Sequence, residues 1–539
     1  MARERLYIFD TTLRDGNQTQ GVDFSVEDKR IIAEALDKLG VDYIEGGWPG
    51  ANQTDTAFFA EPPKLENAKF TSFGMTRRAG RSAANDPGLV AVINAEVDAV
   101  CLFGKTWDFQ VEVALEIELP EAIELIGDSV AAAVERRGEA IFDAEHFFDG
   151  YKSNPEFALA CLKAAHDAGA RWIVLCDTNG GTLPHEVARI VGEVIEHIPG
   201  DQLGIHAHND TENAVANSLA AINAGVRQVQ GTLNGLGERC GNANLVALLG
   251  TFMLKPEFSE RFETGIPQEN AQQLTHISRL LDELLNKAPN AHAAYVGPAA
   301  FAHKGGVHGS AVLKDPRTYE HVPPEAAGNK RTVLISDQAG KANVLMRLAD
   351  IGIDVESTDP RVMKLVEEVK EREFLGYTYD GAAASFELMA RRALGEVPDY
   401  FDVESFRVLV ERRHNAKGEL VTVSEATVKV TVDGVTLISA GEGNGPVNAL
   451  DEALRKDLGK YSKFIEDVQL TDFKVRILTY EGTDAVTRVM VESADSKGHR
   501  WSTVGVSPNI VDASFQALID SIVYKLYRDG APAGSKGAK

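Results

Sequence analysis

From the first residues to about position 255, short β-branched and aromatic runs alternate with amphipathic stretches, the pattern of βα units around a parallel sheet. Eight runs have the length and composition of strands: 6–10, 43–45, 69–75, 99–103, 140–143, 172–176, 203–206 and 228–232. Each leads into a helix-like stretch, such as 26–39, 155–168 or 213–224, where apolar residues recur at three- and four-residue intervals. Eight such units in about 250 residues fit a closed (β/α)8 TIM barrel, an α/β fold, better than an open doubly wound sheet. No GxGxxG follows the first strand, so a dinucleotide-binding sheet lacks its main signal.

The texture changes twice after the barrel. Residues 266–392 read mainly helical, with a Gly- and Pro-punctuated loop region at 297–328. Beyond Pro398 alternating strands return at 406–411, 425–432, 474–480 and 487–493, and each set closes in a helix. GEGNGPVNALDEAL (441–454) and GVSPNIVDASFQAL (505–518) match at an offset of 64, with Gly441/Gly505, Val447/Val511, Ala449/Ala513, Ala453/Ala517 and Leu454/Leu518 in register. Two copies of a βββα unit therefore make a small duplicated α+β domain. The expected organisation is a catalytic barrel at 1–265, a mainly helical linker at 266–397, the duplicated domain at 398–530 and a disordered tail at 531–539.

Composition narrows the partners. The 539 residues are 44% hydrophobic and 25% charged, a globular balance. Acidic residues number 80 against 55 basic, and the net charge of −25 repels phosphate backbones and anionic headgroups, so nucleic-acid and membrane partners are not expected. Cys101, Cys161, Cys176 and Cys240 form no CxxC pair and suggest reduced, mostly buried thiols. The start, MARERLYIFD, has no apolar signal-peptide core, and the most apolar stretch, 89–103, is broken by Asn94, Glu96 and Asp98; the expected location is cytoplasmic.

In a TIM barrel, reactive groups stand at the C-terminal ends of the strands, and polar residues recur there. The first strand ends in DTTLRDG, which brings Asp10, Arg14 and Asp15 to its mouth; the same residues also suit an ordinary capped turn. The seventh ends in HAHND, where side chains at i and i+2 share a face, so His206 and His208 can hold one metal ion. With Asp15 they make a mixed N/O set compatible with Mn²⁺, Zn²⁺, Co²⁺ or Mg²⁺ and open to substrate. Asn242, in the glycine-rich segment 235–244, suits either an amide-oxygen ligand or a loop-bracing role. Other strand ends add Glu45, Asp143, Glu145 and Thr178, and a carboxylate such as Glu145 near a cation suits acid–base work. Taken singly, each is as readily a solvated loop residue.

Together these motifs resemble a known family. DTTLRDGNQ, IEGGWPG, CDTNGG, GIHAHND, NGLGERCGNANL and FAHKGGVHG, in that order, are similar to the acyl-CoA-condensing DRE metallolyase barrels, the isopropylmalate, homocitrate and citramalate synthases. GEGNGPVNAL and TVGVSPNIVDASFQALIDSIVYKL resemble the regulatory domain appended to the isopropylmalate and citramalate members, so the resemblance spans essentially the whole chain. IEGGWPGAN and FDAEHFFDGYK are closest to the citramalate branch, whereas isopropylmalate members usually carry Phe in place of Trp48.

The resemblance implies a metal-dependent Claisen condensation of acetyl-CoA with pyruvate, then thioester hydrolysis to citramalate and CoA, in isoleucine biosynthesis. It implies an ion held by Asp15, His206, His208 and Asn242, with Arg14 on the developing oxyanion and Thr178 on the pyruvate carboxylate. Gln18, Glu45 and Asp143 complete the implied substrate-binding set. Glu145 and His308 are the implied bases, His308 arriving from the linker of a second subunit, which implies an obligate homodimer. The duplicated domain would bind isoleucine as feedback effector, with Gly441, Asn444 and Gly445 in its glycine-rich loop; that loop lacks the Lys-Ser/Thr of a P-loop. One departure concerns Asn17, where the family commonly has Glu after RDG; Gln18 is kept. Competing readings are a synthase for another 2-oxo acid, a 3-hydroxyacyl-CoA lyase with Cys240 as its thiol, a biotin-dependent carboxyltransferase, for which 362–365 reads VMKL in place of MKM, and an amino-acid sensor without catalysis.

Overall fold

Eight buried runs pair in parallel around a closed ring: β1 (Tyr7–Asp10), β2 (Tyr43–Gly47), β3 (Lys69–Met75), β4 (Ala99–Lys105), β5 (Ala140–Glu145), β6 (Trp172–Asp177), β7 (Leu203–Ala207) and β8 (Gln228–Gly231), with β8 pairing back onto β1. This is the expected (β/α)8 barrel. The computed structural model describes residues 3–334, 340–479 and 485–534, and the chain divides into two units, Met1–Phe301 with His321–Arg331 and Ala302–Glu320 with Thr332–Lys539. The helix Val26–Leu39 shows how local sequence sets an element: Ser25 and Asp28 form a capping box at its start, and Gly40, at φ 104°, closes it in a left-handed cap.

Alternation along the strands separates two cores. Outward residues such as Ile8, Ile44, Phe70 and Val100 pack beneath the helices, while inward Phe9, Tyr43, Phe73, Cys101, Ile141, Trp172, Val174 and Cys176 fill the ring. Five strands run past the ends read from the sequence, to Gly47, Lys105, Glu145, Asp177 and Ala207. The hydrophobic pattern ends at the last apolar residue of a strand, but the ladder continues through the polar residues at the mouth, as where Lys105 lies in register with Glu145. At the other end β1 begins at Tyr7, because Glu4 and Arg5 leave the ring to pair with Phe262 and Glu263.

The linker expected at 266–397 does not form one body. Helix Leu274–Leu284 buries Leu274, Ile277 and Leu281 in the core of the barrel unit, and Tyr295, Phe301, Val322 and Ala327 join them. By contacts the first unit therefore takes in residues through Phe301 and again His321–Arg331, beyond the limit of 265 read for the barrel. In the second unit, β9 (Asp402–His414), β10 (Leu420–Val432) and β11 (Val435–Gly443) form an antiparallel sheet followed by helix Pro446–Asp457. β12 (Gln469–Ile477), β13 (Thr487–Ala494) and β14 (Arg500–Ser507) repeat it, followed by helix Ile510–Arg528. Each copy thus has the βββα order, with strands longer than the sequence suggested. Of the expected strand 474–480, Tyr480 lies outside the described residues, as do residues 535–539 of the expected tail. Cys101, Cys161 and Cys176 are buried and Cys240 exposed, all four free, and among the described residues no helix is long and apolar enough to cross a membrane.

The repeat has a packing cause. A Cβ on Gly441 would lie 2.5 Å from the backbone nitrogen of Ala453, and one on Gly505 would lie 2.0 Å from the carbonyl oxygen of Ala513, so only glycine lets each sheet meet its helix. Gly505→Ala is expected to lower the stability of the second unit by roughly 1–3 kcal/mol, read as a lower urea midpoint; an unchanged midpoint would contradict this packing.

Candidate active site

Strand parity builds the site, because inward positions beyond the last apolar layer converge at the mouth of the ring. β7 supplies His206 and the residue just past its end is His208, while the turn after β1 brings Asp15 to the same point. Asp15 Oδ2 lies 3.5 Å from His206 Nε2 and 3.8 Å from His208 Nε2, and the two imidazole nitrogens are 3.3 Å apart. All three side chains are buried, with their ligand atoms within 4.8 Å of one another. His206 Nδ1 meets Gln230 Oε1 at 2.8 Å, the arrangement that turns the Nε2 lone pair toward a cation. Gln230 Nε2 in turn donates to Asp143 Oδ1 at 3.1 Å. Two imidazole nitrogens facing one carboxylate at these distances fit a divalent ion by donor type and by convergence.

The electrostatics agree. Against the upward pull of burial, Arg14 and the two histidines hold Asp15 well below the usual carboxylate range. Burial and His206 push His208 down to about 4, whereas Asp15 overcomes burial and raises His206. Burial, with neighbouring Glu45, pushes Asp143 up to about 6. Arg14 lies among these groups: its Nε donates to Glu45 Oε2 at 2.7 Å, its Nη1 to Asp15 Oδ2 at 2.9 Å, and its guanidinium carbon sits 3.9 Å from the centre of the Phe73 ring.

A cavity of about 350 Å³ opens on this cluster. Of the residues singled out in the sequence, Arg14, Asp15, Gln18, Asp143, Glu145, Thr178, His206 and His208 line it. Thr178 Oγ1 accepts the His146 N–H at 2.8 Å, which leaves its hydroxyl hydrogen for a ligand, and Glu145 Oε2 is paired with Lys105 Nζ at 2.6 Å. Glu45, in contrast, is fully buried and absent from the lining; its Oε2 accepts from Thr11 Oγ1 at 2.5 Å and from Arg14, so it aims the arginine. Asn242 donates its amide NH₂ to Asp15 Oδ1 at 2.9 Å and to Leu236 O at 3.2 Å, which braces the loop, while its Oδ1 is buried with no hydrogen-bond partner and stays available for the amide-oxygen ligand role. Asp10 accepts from the backbone N and hydroxyl of Thr12, and burial pushes it up to about 7; it braces the turn after β1. Asn17 accepts the Phe24 N–H at 3.0 Å, so the departure from the family pattern holds a loop.

His308 belongs to the second unit, on helix Gly306–Lys314, with its ring centre 4.2 Å from that of Tyr319. In the same unit Gly441 is the packing glycine described above, Asn444 donates its N–H to Asn448 Oδ1 at 3.1 Å, and Gly445 precedes helix Pro446–Asp457. Three further residues belong to the site: Gln230 behind His206, and Arg239 and Trp48 in the cavity lining. Gln230 had a signal, since Gln228 and Gln230 are polar residues two apart in a four-residue strand and both are buried. Arg239 lines the cavity while its guanidinium bridges Asp210 and the Thr178 carbonyl, a link among three separate loops that no short motif encodes.

Residues 5–281 match the HMGL-like family, 295–373 the homocitrate synthase post-HMGL domain-like family and 380–526 the LeuA allosteric (dimerisation) domain. The chain is similar to the (R)-citramalate synthase of Geobacter sulfurreducens, 51% identical over 532 residues, which cover 98% of this chain and 99% of the relative. It is likewise similar to the (R)-citramalate synthase of Aquifex aeolicus, 50% identical over 529 residues and 98% of both chains. A 2-isopropylmalate synthase of Clostridium kluyveri is more distant, 32% identical over 531 residues and 97% of both chains.

Gln230→Leu is expected to weaken divalent-metal binding about 10- to 100-fold in equilibrium dialysis against Mn²⁺, and His206→Ala to abolish it. Wild-type affinity in both variants would remove the triad as a metal site.

Proposed function

The chain belongs to the HMGL-like family, as an acyltransferase of the (R)-citramalate synthase type, and we propose that it condenses acetyl-CoA with pyruvate and hydrolyses the resulting thioester to citramalate and CoA. The observation that carries the reading is the convergence of Arg14, Asp15, His206 and His208 on one cavity, in a chain about half identical to such synthases over its full length. Full-length relatives named (R)-citramalate synthase at about half identity favour this reading over the lyase, carboxyltransferase and sensor alternatives.

A divalent ion held by Asp15, His206 and His208 would supply Lewis-acid polarisation of the keto group. The remaining work falls to side chains. Arg14, fixed between Glu45 and Asp15, donates to the keto oxygen as negative charge develops on it. Thr178, bonded from behind by the His146 N–H, donates its hydroxyl to the pyruvate carboxylate. Acetyl-CoA must lose a methyl proton, and Glu145, tethered by Lys105 at the cavity rim, is the base within reach of the mouth; His308, supplied by a second subunit, is the other. Trp48, Phe73 and Phe103 keep water from the enolate until the methyl carbon has bonded to the keto carbon. Water then breaks the thioester C–S bond, and the sulfur leaves protonated as the thiol of CoA.

We further read the protein as a cytoplasmic homodimer of isoleucine biosynthesis, on the strength of its four free cysteines, its match to the dimerisation domain and the chemistry of its product. The effector reading finds support in a cavity of about 310 Å³ in the second unit. Its lining includes apolar Val447, Val468, Leu470, Phe473 and Ile522, with Asp451 and Arg455 on one side, and Arg455 Nε donates to Asp451 Oδ1 at 2.8 Å. A carboxylate and a guanidinium beside an apolar hollow suit the ammonium, carboxylate and side chain of isoleucine. Gly441, Asn444 and Gly445 lie outside that lining, so the candidate effector contacts move from the glycine-rich loop to the helix that follows it.

Thiol release with acetyl-CoA and a panel of 2-oxo acids tests the activity: turnover is expected with pyruvate and not with 2-oxoisovalerate, and no release with any acceptor overturns the reading. Glu145→Gln is expected to lower kcat about 10²- to 10⁴-fold with metal binding intact; near wild-type kcat removes Glu145 as the base. Isoleucine is expected to slow the wild-type enzyme and to lose its effect in Arg455→Ala, whereas equal inhibition of both would move the effector elsewhere.

A further inference from the structure

The wall of the barrel holds an ion pair that the mechanism above does not use. Lys29 stands on helix Val26–Leu39, three residues before Ile32 and seven before Leu36, and is fully buried with them. Its ammonium pairs with Asp55 Oδ1 and donates to the carbonyl oxygen of Gly46 at 2.9 Å. Asp55, in the first turn of helix Gln53–Ala60, uses its other oxygen to accept the Trp48 N–H at 2.9 Å and Asn52 Nδ2 at 3.0 Å. The pair therefore grips the end of β2 at Gly46–Gly47 on one side and the first residue of the turn that starts at Trp48 on the other. Gly47 completes the fit: it sits at φ 140°, and a Cβ there would lie 2.6 Å from the Asp55 carboxylate.

What the turn presents is the Trp48 indole, on the cavity wall. It meets Phe73 edge-on at 5.9 Å between ring centres and Phe103 at 5.8 Å, and these two rings stack on each other at 5.2 Å. Phe73 also carries the guanidinium of Arg14, so the aromatic wall begins where the polar clamp on a keto oxygen ends. A 2-oxo acid bound with its carboxylate toward Thr178 and its keto oxygen toward Arg14 has one group left, and that group faces this wall. Two buried charges are a costly way to join two helices, and apolar residues of similar volume do that work at least as well. The ion pair adds direction, because it fixes one carbonyl and one N–H of the turn that carries Trp48.

We propose that the Lys29–Asp55 pair is a clamp that sets Trp48 as the wall limiting the 2-oxo acid to a methyl substituent, with Trp48 the specificity-determining residue and Lys29 and Asp55 positioning residues. The proposal rests on the reading that a 2-oxo acid occupies this cavity. A withdrawn or missing indole opens room for an ethyl or isopropyl group beside Phe73 and Phe103, and differences of one or two methyl groups are worth roughly 10- to 200-fold in kcat/KM.

The test is the ratio of kcat/KM for 2-oxobutanoate to that for pyruvate, measured by thiol release with the full-length wild type, Trp48→Ala, Lys29→Met and the double variant. Trp48→Ala is expected to raise the ratio at least about 10-fold, and Lys29→Met to raise it about 3-fold or more. The double variant is expected to match Trp48→Ala alone, since a clamp has nothing to set once the indole is gone. A general loss of stability lowers both rates and leaves the ratio where it was. If Lys29→Met fails to fold, Lys29→Gln, which keeps a donor for the Gly46 carbonyl and loses the charge, takes its place and the same ratios decide; Asp55 lines the cavity itself, so it is left unchanged. A wild type active on pyruvate with an unmoved ratio in Trp48→Ala overturns the wall, and an unmoved ratio in the clamp variants overturns the positioning role. A wild type inactive with every 2-oxo acid overturns this proposal and the functional reading together.

Discussion

Three buried carboxylates, Asp15, Glu45 and Asp143, share the one guanidinium of Arg14 at the mouth of the barrel, and the other features of the site follow from that shortage of positive charge. Ionised carboxylates out of water need partners, and a ring of parallel strands brings their inward positions together with no room to turn away. Arg14 satisfies Glu45 and Asp15 directly. Asp143, reached by the amide of Gln230, titrates high, and Asp15 raises His206 in turn. The negative charge left over is of the size a divalent cation would neutralise, at the point where two imidazoles and a carboxylate converge.

The local balance also explains how an acidic chain can handle acidic substrates. With a net charge of −25 the protein repels anions at a distance, and pyruvate and acetyl-CoA are both anions. On the proposed reading attraction comes from inside the cavity, from the divalent ion that Asp15, His206 and His208 would hold, with Arg14 and Arg239 in the same lining. The wall beside Arg14 is aromatic, so one cavity holds a polar clamp for the reacting carbonyl and an apolar surface for the carbons around it.

Much of this was legible in the sequence, and the limits are physical. The barrel followed from hydrophobic alternation, and Asp15, His206 and His208 from polar residues placed at strand ends, because parity and position are local properties. The polar ends of β2, β4 and β5 were cut short for the converse reason: a hydrophobic pattern cannot see a strand that continues through Lys105 or Glu145. The bond from Arg14 to Glu45 was not legible, because the approach of the arginine depends on the folded turn after β1. Lys29 carried a signal that went unread, since a charged residue on the stripe of Ile32 and Leu36 has to be buried with a partner. Asp55, with Phe58 and Phe59 on the same helix face, carried the matching one. The division at residue 301 had no such signal, because it rests on which apolar faces dock and not on any change of composition.

The proposed condensation depends on a divalent ion held by Asp15, His206 and His208. CoA release from acetyl-CoA and pyruvate, measured on enzyme stripped of metal with a chelator and then reconstituted, tests this dependence. No turnover is expected in the stripped enzyme, with recovery in step with ion bound, to one ion per barrel. Full turnover by the stripped enzyme would contradict it.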